Sequence, residues 1–455
     1  MDQTFVNFVY LVAGILFILG IKGLTKPKTA VRGNTLSALG MLLAVVITLL
    51  DSSIVNFSYI IAGVLVGGII GATMALRIQM TSMPQMVALL NGFGGGASLT
   101  IALAEYYSKL GQAPTSFADI LTPVVTSASA FGQGAEATIA LVSIGLTVLI
   151  GAVTLTGSFI AFAKLQELMK KSYGLPGGPI GNAIFLIAAL AAVVSLVINP
   201  GNTVAMVSIV GLALLLGLFL VMPIGGADMP VVIALLNSYS GIAAALAGFI
   251  LGNTVLIVAG SLVGTSGLIL TQIMCVAMNR SLANVLFGKM AAGGETVDAD
   301  EIYAGKVTSA QPDEVALMLE MAERVVIVPG YGMAMAQAQH AVRELADAME
   351  ARGTEVEYGI HPVAGRMPGH MNVLLAEAEV PYDKLVEMDR INPTFEDTDV
   401  VIIIGANDVT NPMARESEGS PIYGMPILNV DKAKNVVVIK RSLSPGFAGL
   451  PNPLF

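Results

Sequence analysis

Apolar residues dominate the first 280 positions, in nine stretches set apart by short polar or basic turns. They lie at 4–23, 35–50, 54–76, 84–107, 136–163, 182–198, 203–222, 230–250 and 253–278. A helix needs roughly 20 apolar residues to cross the hydrocarbon core of a bilayer. Each stretch is therefore predicted to be a membrane-spanning helix, the second being the shortest. The first is too long and too glycine-rich for a cleaved leader, and no small-residue cleavage site follows it. Residues 279–312, including the polar run 293–301, read as a linker. The period then changes. Helix is expected at 313–323, strand at 324–328, helix at 333–352, strand at 355–360, helix at 370–378, and strands at 399–404 and 435–440. The β-branched runs at 324–328 and 400–404 suit parallel strands buried on both faces. The expected fold is a multi-pass α-helical membrane domain of about nine spans at 1–278, followed by an α/β Rossmann-like, doubly wound domain at 313–455.

Charge follows the same division. Of all residues, 55% are hydrophobic and 12% charged. Residues 1–290 hold 11 Lys+Arg and 7 Asp+Glu, a net of +4; residues 291–455 hold 12 and 25, a net of −13. The acidic second part argues against a nucleic-acid partner. With nine spans, Lys22, Lys26, Lys28, Arg32, Arg77, Lys164, Lys170, Lys171, Arg280 and Lys289 fall on one side, and Lys109 falls on the other. Basic loops stay inside, so the second part is expected in the cytoplasm. A lone cysteine, Cys275, excludes an internal disulfide framework and offers no metal cluster. The histidines, His340, His361 and His370, lie in the second part and lack a nearby third ligand, so no metal site is expected.

The spans contain an echo. Met83-Pro84-Gln85-Met86-Val87-Ala88-Leu89-Leu90-Asn91 parallels Met229-Pro230-Val231-Val232-Ile233-Ala234-Leu235-Leu236-Asn237, and small residues follow both. Small residues let helices approach closely in lipid. Polar groups inside a membrane mark pathways by default, so Asn91 and Asn237 are candidates for a proton pathway with Asp228 at its cytoplasmic mouth. Interhelical hydrogen bonding by the asparagines and a solvated end charge at Asp228 are the plainer alternatives. Glu105 and Glu136 read as end charges. No span carries a histidine, and none carries a lysine or a carboxylate away from its ends, to relay protons.

In the second part, Gly330-Tyr331-Gly332-Met333-Ala334 closes a strand and opens a helix, the context of a dinucleotide fingerprint. Backbone N–H groups at such a helix start suit pyrophosphate oxygens. Met335 occupies the third glycine position, which weakens the bare motif. The loop Val363-Ala364-Gly365-Arg366-Met367-Pro368, flanked by His361 and His370, suits a phosphate clamp. Gly405-Ala406-Asn407-Asp408-Val409 follows another strand at its ligand-binding end. Lys440-Arg441-Ser442 offers two cations and a hydroxyl for a phosphomonoester, as the 2′-phosphate of NADP would need. The run 444–449, with Gly446 and Phe447, has the composition of a lid. His340 is expected on the surface.

Together with Gly424-Met425-Pro426, the run 225–241 and Ala277-Met278-Asn279-Arg280-Ser281, these stretches resemble the beta subunit of proton-translocating NAD(P) transhydrogenase over nearly the whole chain. The resemblance implies NADP(H) bound on this chain at the residues just named and at Gly424 and Met425. It implies NAD(H) on a partner alpha subunit, and hydride transfer from NADH to NADP coupled to inward proton movement, with no covalent catalytic residue. It also implies a bacterial inner (cytoplasmic) membrane location in a bilayer, and a dimer of the complete assembly. Three departures qualify it. Asn91 stands where some family members carry a channel histidine, so either a partner's membrane subunit is expected to supply the proton-binding histidine or the chain uses a different relay. Phe447 stands where others have tyrosine. The family's domain continues past the sequence resembling Asn452-Pro453-Leu454-Phe455 into a final helix, so a chain ending there is expected to bind nucleotide less tightly. A secondary transporter with an NADP-sensing domain is the competing reading.

Overall fold

The structure is a computed structural model that describes residues 3–24, 27–50, 57–111, 128–166, 168–169, 178–287, 307–367, 369–418, 420, 422–442, 446 and 450–455. Among these, nine helices are long and apolar enough to cross a membrane. They are α1 (Gln3–Leu24), α2 (Pro27–Leu49), α3 (Phe57–Arg77), α4 (Met83–Lys109), α5 (Ala135–Leu165), α6 (Pro179–Ile198), α7 (Thr203–Val221), α8 (Met229–Leu251) and α9 (Thr254–Ala277). The helix α2 begins well before the apolar stretch at 35–50, because Lys28 and Arg32 lie in its first turns and lower the hydropathy without breaking the helix. Of the expected orienting cations, Lys26, Lys170, Lys171 and Lys289 lie outside the described residues, as do 288–306 of the expected linker. The chain divides into two compact units. One comprises 1–78, 85–223 and 234–269, and the other 79–84, 224–233 and 270–455.

In the first unit, helices meet where side chains are smallest. Lipid tails are as apolar as leucine, so association there rests on close packing rather than on burial from water. A Cβ on Gly95 of α4 would stand 2.8 Å from the Gly151 carbonyl of α5. A Cβ on Gly241 of α8 would stand 2.5 Å from the Gly264 backbone nitrogen of α9. Gly95 and Gly241 hold matching places in the sequence echo, and each lets its helix lie against the next described span. The neighbouring matched pair, Gly94 and Ser240, touch each other, so the two copies pack together. The long helix α5 also receives α6, through Gly145 against Val193, and α7, where the Thr156 hydroxyl donates to the Leu214 carbonyl at 2.9 Å. No described side chain of α3 is buried.

The second unit holds a five-stranded, all-parallel sheet of β1 (Arg324–Pro329), β2 (Glu355–Ile360), β3 (Leu385–Glu387), β4 (Val400–Ile404) and β5 (Asn435–Ile439), in the order β3-β2-β1-β4-β5. Val325 pairs with both Val356 and Val400, which places β1 at the centre. Successive side chains leave a strand on opposite faces. Val325, Ile327, Val400 and Ile402 fill one core with Val342, Ala346 and Leu374, whereas Val326, Val328, Val401 and Ile403 fill another with Phe395 and Leu428. Helix α10 (Leu282–Phe287) and helix α11 (Pro312–Glu320) precede β1. The helix expected at 333–352 is two helices, α12 (Tyr331–Met335) and α13 (Gln339–Glu350), with Gln337 at a left-handed φ of 51° between them. The first turn is tied to the loop after β4, while α13 must lay Val342, Ala346 and Met349 on the sheet. One continuous helix cannot do both. Helix α14 (His370–Glu377) lies close to the expected bounds. Strand β3 was not expected from sequence; it is three residues long and buries only Val386.

Gly241→Leu is predicted to lower the melting temperature of the detergent-solubilised chain, because overpacking at a backbone contact costs about 1–3 kcal/mol or more. Gly211→Leu on α7 meets open space and should leave the melt unchanged; equal effects would refute the packing argument.

Candidate functional site

In an open parallel sheet, ligands bind beyond the carboxyl ends of the strands, where the connections diverge to either side. Here that point lies between β1 and β4, because the chain leaves β1 for β2 on one side and returns to β4 on the other. The two loops that meet there are the glycine turn after β1 and the glycine turn after β4. A Cβ on Gly330 would collide with the Ala406 and Gly405 backbone, and one on Gly332 would stand 2.7 Å from the Gly405 Cα. Gly405 itself has φ +65°, a conformation costly to residues with a Cβ. The loops are joined by hydrogen bonds from Gly330 N–H to the Ile404 carbonyl at 2.8 Å and from Gly332 N–H to the Gly405 carbonyl at 2.9 Å. Two N–H groups of the fingerprint are thus engaged by the neighbouring loop, and its glycines serve the close approach first. Met333 and Ala334 are fully buried beneath it.

The other sequence-selected residues line the same sheet edge. Asn407 and Asp408 follow Gly405, and a Cβ on Gly446 would collide with the Asp408 carboxylate. The Asn407 carboxamide stands between Asn452 Nδ2 at 3.1 Å and Lys440 Nζ at 3.2 Å. With its oxygen turned to the lysine, it accepts from Lys440 and from Gly446 N–H. Lys440 also lies 4.3 Å from the centre of the Phe455 ring. Burial pushes its ammonium down to about 8, while Asp408 acts in the opposite direction. Arg441 and Ser442 are exposed just past β5.

The loop after β2 brings in Arg366, whose guanidinium carbon lies 4.2 Å over the Tyr331 ring. A guanidinium can both stack on an aromatic face and pair with a phosphate. Val363 and Val409 pack against the small core that includes Met425, while Ala364 and Met367 are buried. At one end of this loop, His361 accepts from Val363 N–H through Nδ1 at 3.2 Å and pairs through Nε2 with the Pro426 carbonyl at 2.8 Å. At the other end, His370 accepts from Arg366 N–H through Nδ1 at 3.1 Å. Burial pushes both histidines down to about 4, and the Arg366 charge adds to the effect at His370. Pro368 and Phe447, with 444–445 and 448–449 of the expected lid, lie outside the described residues.

Gly424, at φ +74°, abuts the Asn279 carboxamide, which donates to the Tyr423 carbonyl at 3.1 Å. Next to Asn279, Arg280 reaches both oxygens of Asp228, at 2.9 and 2.7 Å. Asp228 is buried and ion-paired, not a solvated end charge. Burial raises its carboxyl above the usual value and Arg280 pulls it back. Asn91 is buried and Asn237 half-buried, each one helical turn before the Gly94–Ser240 contact. Sequence reasoning missed Asn452; its signal was an amide between Pro451 and Pro453, yet its place beside Asn407 depends on the fold. No cluster of His, Cys, Asp and Glu able to hold a metal occurs among the described residues.

The family model described as NAD(P) transhydrogenase beta subunit matches residues 6–455. The chain belongs to that family. The NAD(P) transhydrogenase subunit beta of Rhodospirillum rubrum is 45% identical over 460 residues, covering 100% of this chain and 95% of that protein. A second sequence of the same name, from a designated strain of that organism, matches with the same figures. Transhydrogenase beta subunits are thus the proteins this chain is similar to from end to end, and the loops at the sheet edge lie within the matched region.

The neutral histidines predict an acid limit for this part of the transhydrogenase family fold. A histidine whose folded pKa is depressed adds stability that is complete above its unfolded value near 6.5 and is lost as pH falls toward about 4. Thermal unfolding of the full chain in detergent should show stability falling over that window, by at most on the order of 3 kcal/mol per histidine. His361→Gln and His370→Asn should flatten the slope; an unchanged slope would mean that other groups set the acid limit.

Proposed function

We propose that this chain is the NADP(H)-binding, proton-translocating subunit of a transhydrogenase and that its second part is a Rossmann-like domain at 313–455. The observation that carries the reading is the meeting of the β1 and β4 glycine turns at the switch point of the sheet, with Lys440, Arg441 and Arg366 on the flanking loops. Glycine turns that meet backbone to backbone, with no side chain projecting over them, suit the close approach of a dinucleotide, and the cations suit its phosphates. The proposed contacts are Gly330–Ala334, Val363–Pro368, Gly405–Val409, Gly424, Met425, Lys440–Ser442, Gly446 and Phe447. NADP, when bound, supplies the nicotinamide carbon that receives hydride from NADH held on a partner alpha subunit. The chain's own groups bind, orient and exclude water; none forms a covalent intermediate. Lys440 and Arg441 would read the 2′-phosphate that separates NADP from NAD.

The first part, 1–278, is proposed as the proton-channel domain, set in a bacterial inner membrane with the second part in the cytoplasm. The complete assembly is proposed to be a dimer. Asn91 and Asn237 would line one water-accessible pathway, since their helices touch one turn further on at Gly94 and Ser240. Asp228 would sit at its cytoplasmic mouth. An amide orders water but does not exchange a proton near neutral pH. The proton-binding group is therefore assigned to a histidine of a partner membrane subunit, whose ordinary pKa near 6.5 suits the task.

Two experiments test this. NADP(H) and NAD(H) are titrated into the full chain in detergent. Each charge-assisted bond to the 2′-phosphate contributes about 1.5–3 kcal/mol, so Lys440→Ala and Arg441→Ala should each reduce the preference for NADP(H) about ten- to hundredfold. Unchanged selectivity would end the claim. In the reconstituted complex, Asn237→Leu and Asp228→Asn should impair proton-coupled hydride transfer while NADP(H) affinity stays within about twofold. Proton movement by this chain alone, without partners, would refute the partner histidine.

A further inference from the structure

We propose that His370 is a positioning residue for Arg366. Its neutral ring, acting through Nδ1, holds the main chain of the loop after β2 so that the guanidinium stays over Tyr331. The inference rests on the reading of Arg366 as a phosphate contact and identifies what sets that contact's geometry.

Three observations converge on the ring. His370 is fully buried at the start of α14, and its Nδ1 is the acceptor for Arg366 N–H at 3.1 Å. The loop is moulded against it: Gly365 has φ +109°, and a Cβ there would lie 2.5 Å from Nδ1 and 2.6 Å from the His370 Cβ. The Tyr331 ring lies 6.2 Å from the imidazole, so histidine, tyrosine and the stacked guanidinium at 4.2 Å form one contiguous group.

The hydrogen-bond inventory separates the two histidines. An imidazole that accepts at Nδ1 while neutral carries its proton on Nε2. In His361 both nitrogens are used, one by Val363 N–H and the other by the Pro426 carbonyl. In His370 the Nε2 atom has no hydrogen-bond partner among the described residues. A buried donor without a partner costs stability. His370 is therefore a poor choice for holding the fold and a good one for placing an acceptor beneath the Arg366 main chain. Departures of this kind from local stability concentrate at functional sites.

An Asn side chain places its Oδ1 near where histidine places Nδ1, whereas Phe fills the ring's volume without an acceptor. The test uses the full chain in detergent, titrated with NADPH, together with hydrogen exchange over residues 361–369. His370→Phe should weaken NADPH binding about five- to twentyfold, comparable to Arg366→Ala, and should expose the 361–369 backbone to exchange. His370→Asn should restore both readouts to within about twofold of the parent. The double variant Arg366→Ala/His370→Phe should bind no more weakly than Arg366→Ala alone, because the histidine acts through the arginine. His370→Leu, smaller than the ring and likewise without an acceptor, should reproduce the His370→Phe loss and decides the matter if His370→Phe does not fold. Additive losses in the double variant, or an Asn variant as weak as Phe, would overturn the proposal. If exchange responds as stated but Arg366→Ala binds NADPH normally, the phosphate reading fails while the positioning stands. If Arg366→Ala binds weakly but His370→Phe changes neither exchange nor affinity, the positioning fails while the phosphate reading stands.

Discussion

The architecture of the second unit depends on the absence of side chains between two loops. Gly330 and Gly332 come into backbone contact with Gly405 and Ala406, and the hydrogen bonds from Gly330 and Gly332 seal that contact. The geometry tolerates no Cβ at Gly330, Gly332 or Gly405. It fixes where β1 hands the chain to α12, why that helix must break at Gln337, and how close Asn407 and Lys440 can come to the centre of the sheet edge. The same economy governs the membrane helices. Gly95 and Gly241 admit a neighbouring backbone where a methyl group would not fit. One physical device thus shapes the lipid-solvated and the water-solvated parts of the chain, for different reasons: dispersion contacts between helices in the first and a hydrogen-bonded junction of two loops in the second.

How much could be read from sequence follows from which forces act locally. The spans were legible because lipid solvation requires an unbroken apolar run, whatever the neighbours. Only the start of α2 was misplaced, by Lys28 and Arg32. Strands β1 and β4 were legible because burial on both faces leaves a β-branched signature. Strand β3 was not, since a three-residue edge strand with one inward residue carries no period. At the site, the glycine loops and the Arg366 loop were legible as turn chemistry after strands. The Asn452–Asn407 contact and the Arg280 partner of Asp228 were not, because each joins residues distant in sequence through tertiary packing.

The Asp228–Arg280 pair shows what a buried charge does in such a fold. Its desolvation cost is offset only while both partners are present, so it contributes less to net stability than to fixing one arrangement. Residue 279, immediately before Arg280, adopts a left-handed φ of 49° and reaches the Tyr423 carbonyl. The segment that follows the last span is therefore held at two adjacent residues, one by charge and one by an amide.

The strand order carries a consequence for biogenesis. The central strand β1 is made first, yet Val325 must wait for Val400 before its second edge is covered, and β4 in turn waits for Val436. Parallel pairing of this kind gains nothing from local hairpins, and sequence-distant contacts form late. On the ribosome, every span will have emerged before β4 exists. The junction of the two glycine turns is thus among the last parts of the chain to form, after the whole of its apolar half has been synthesised.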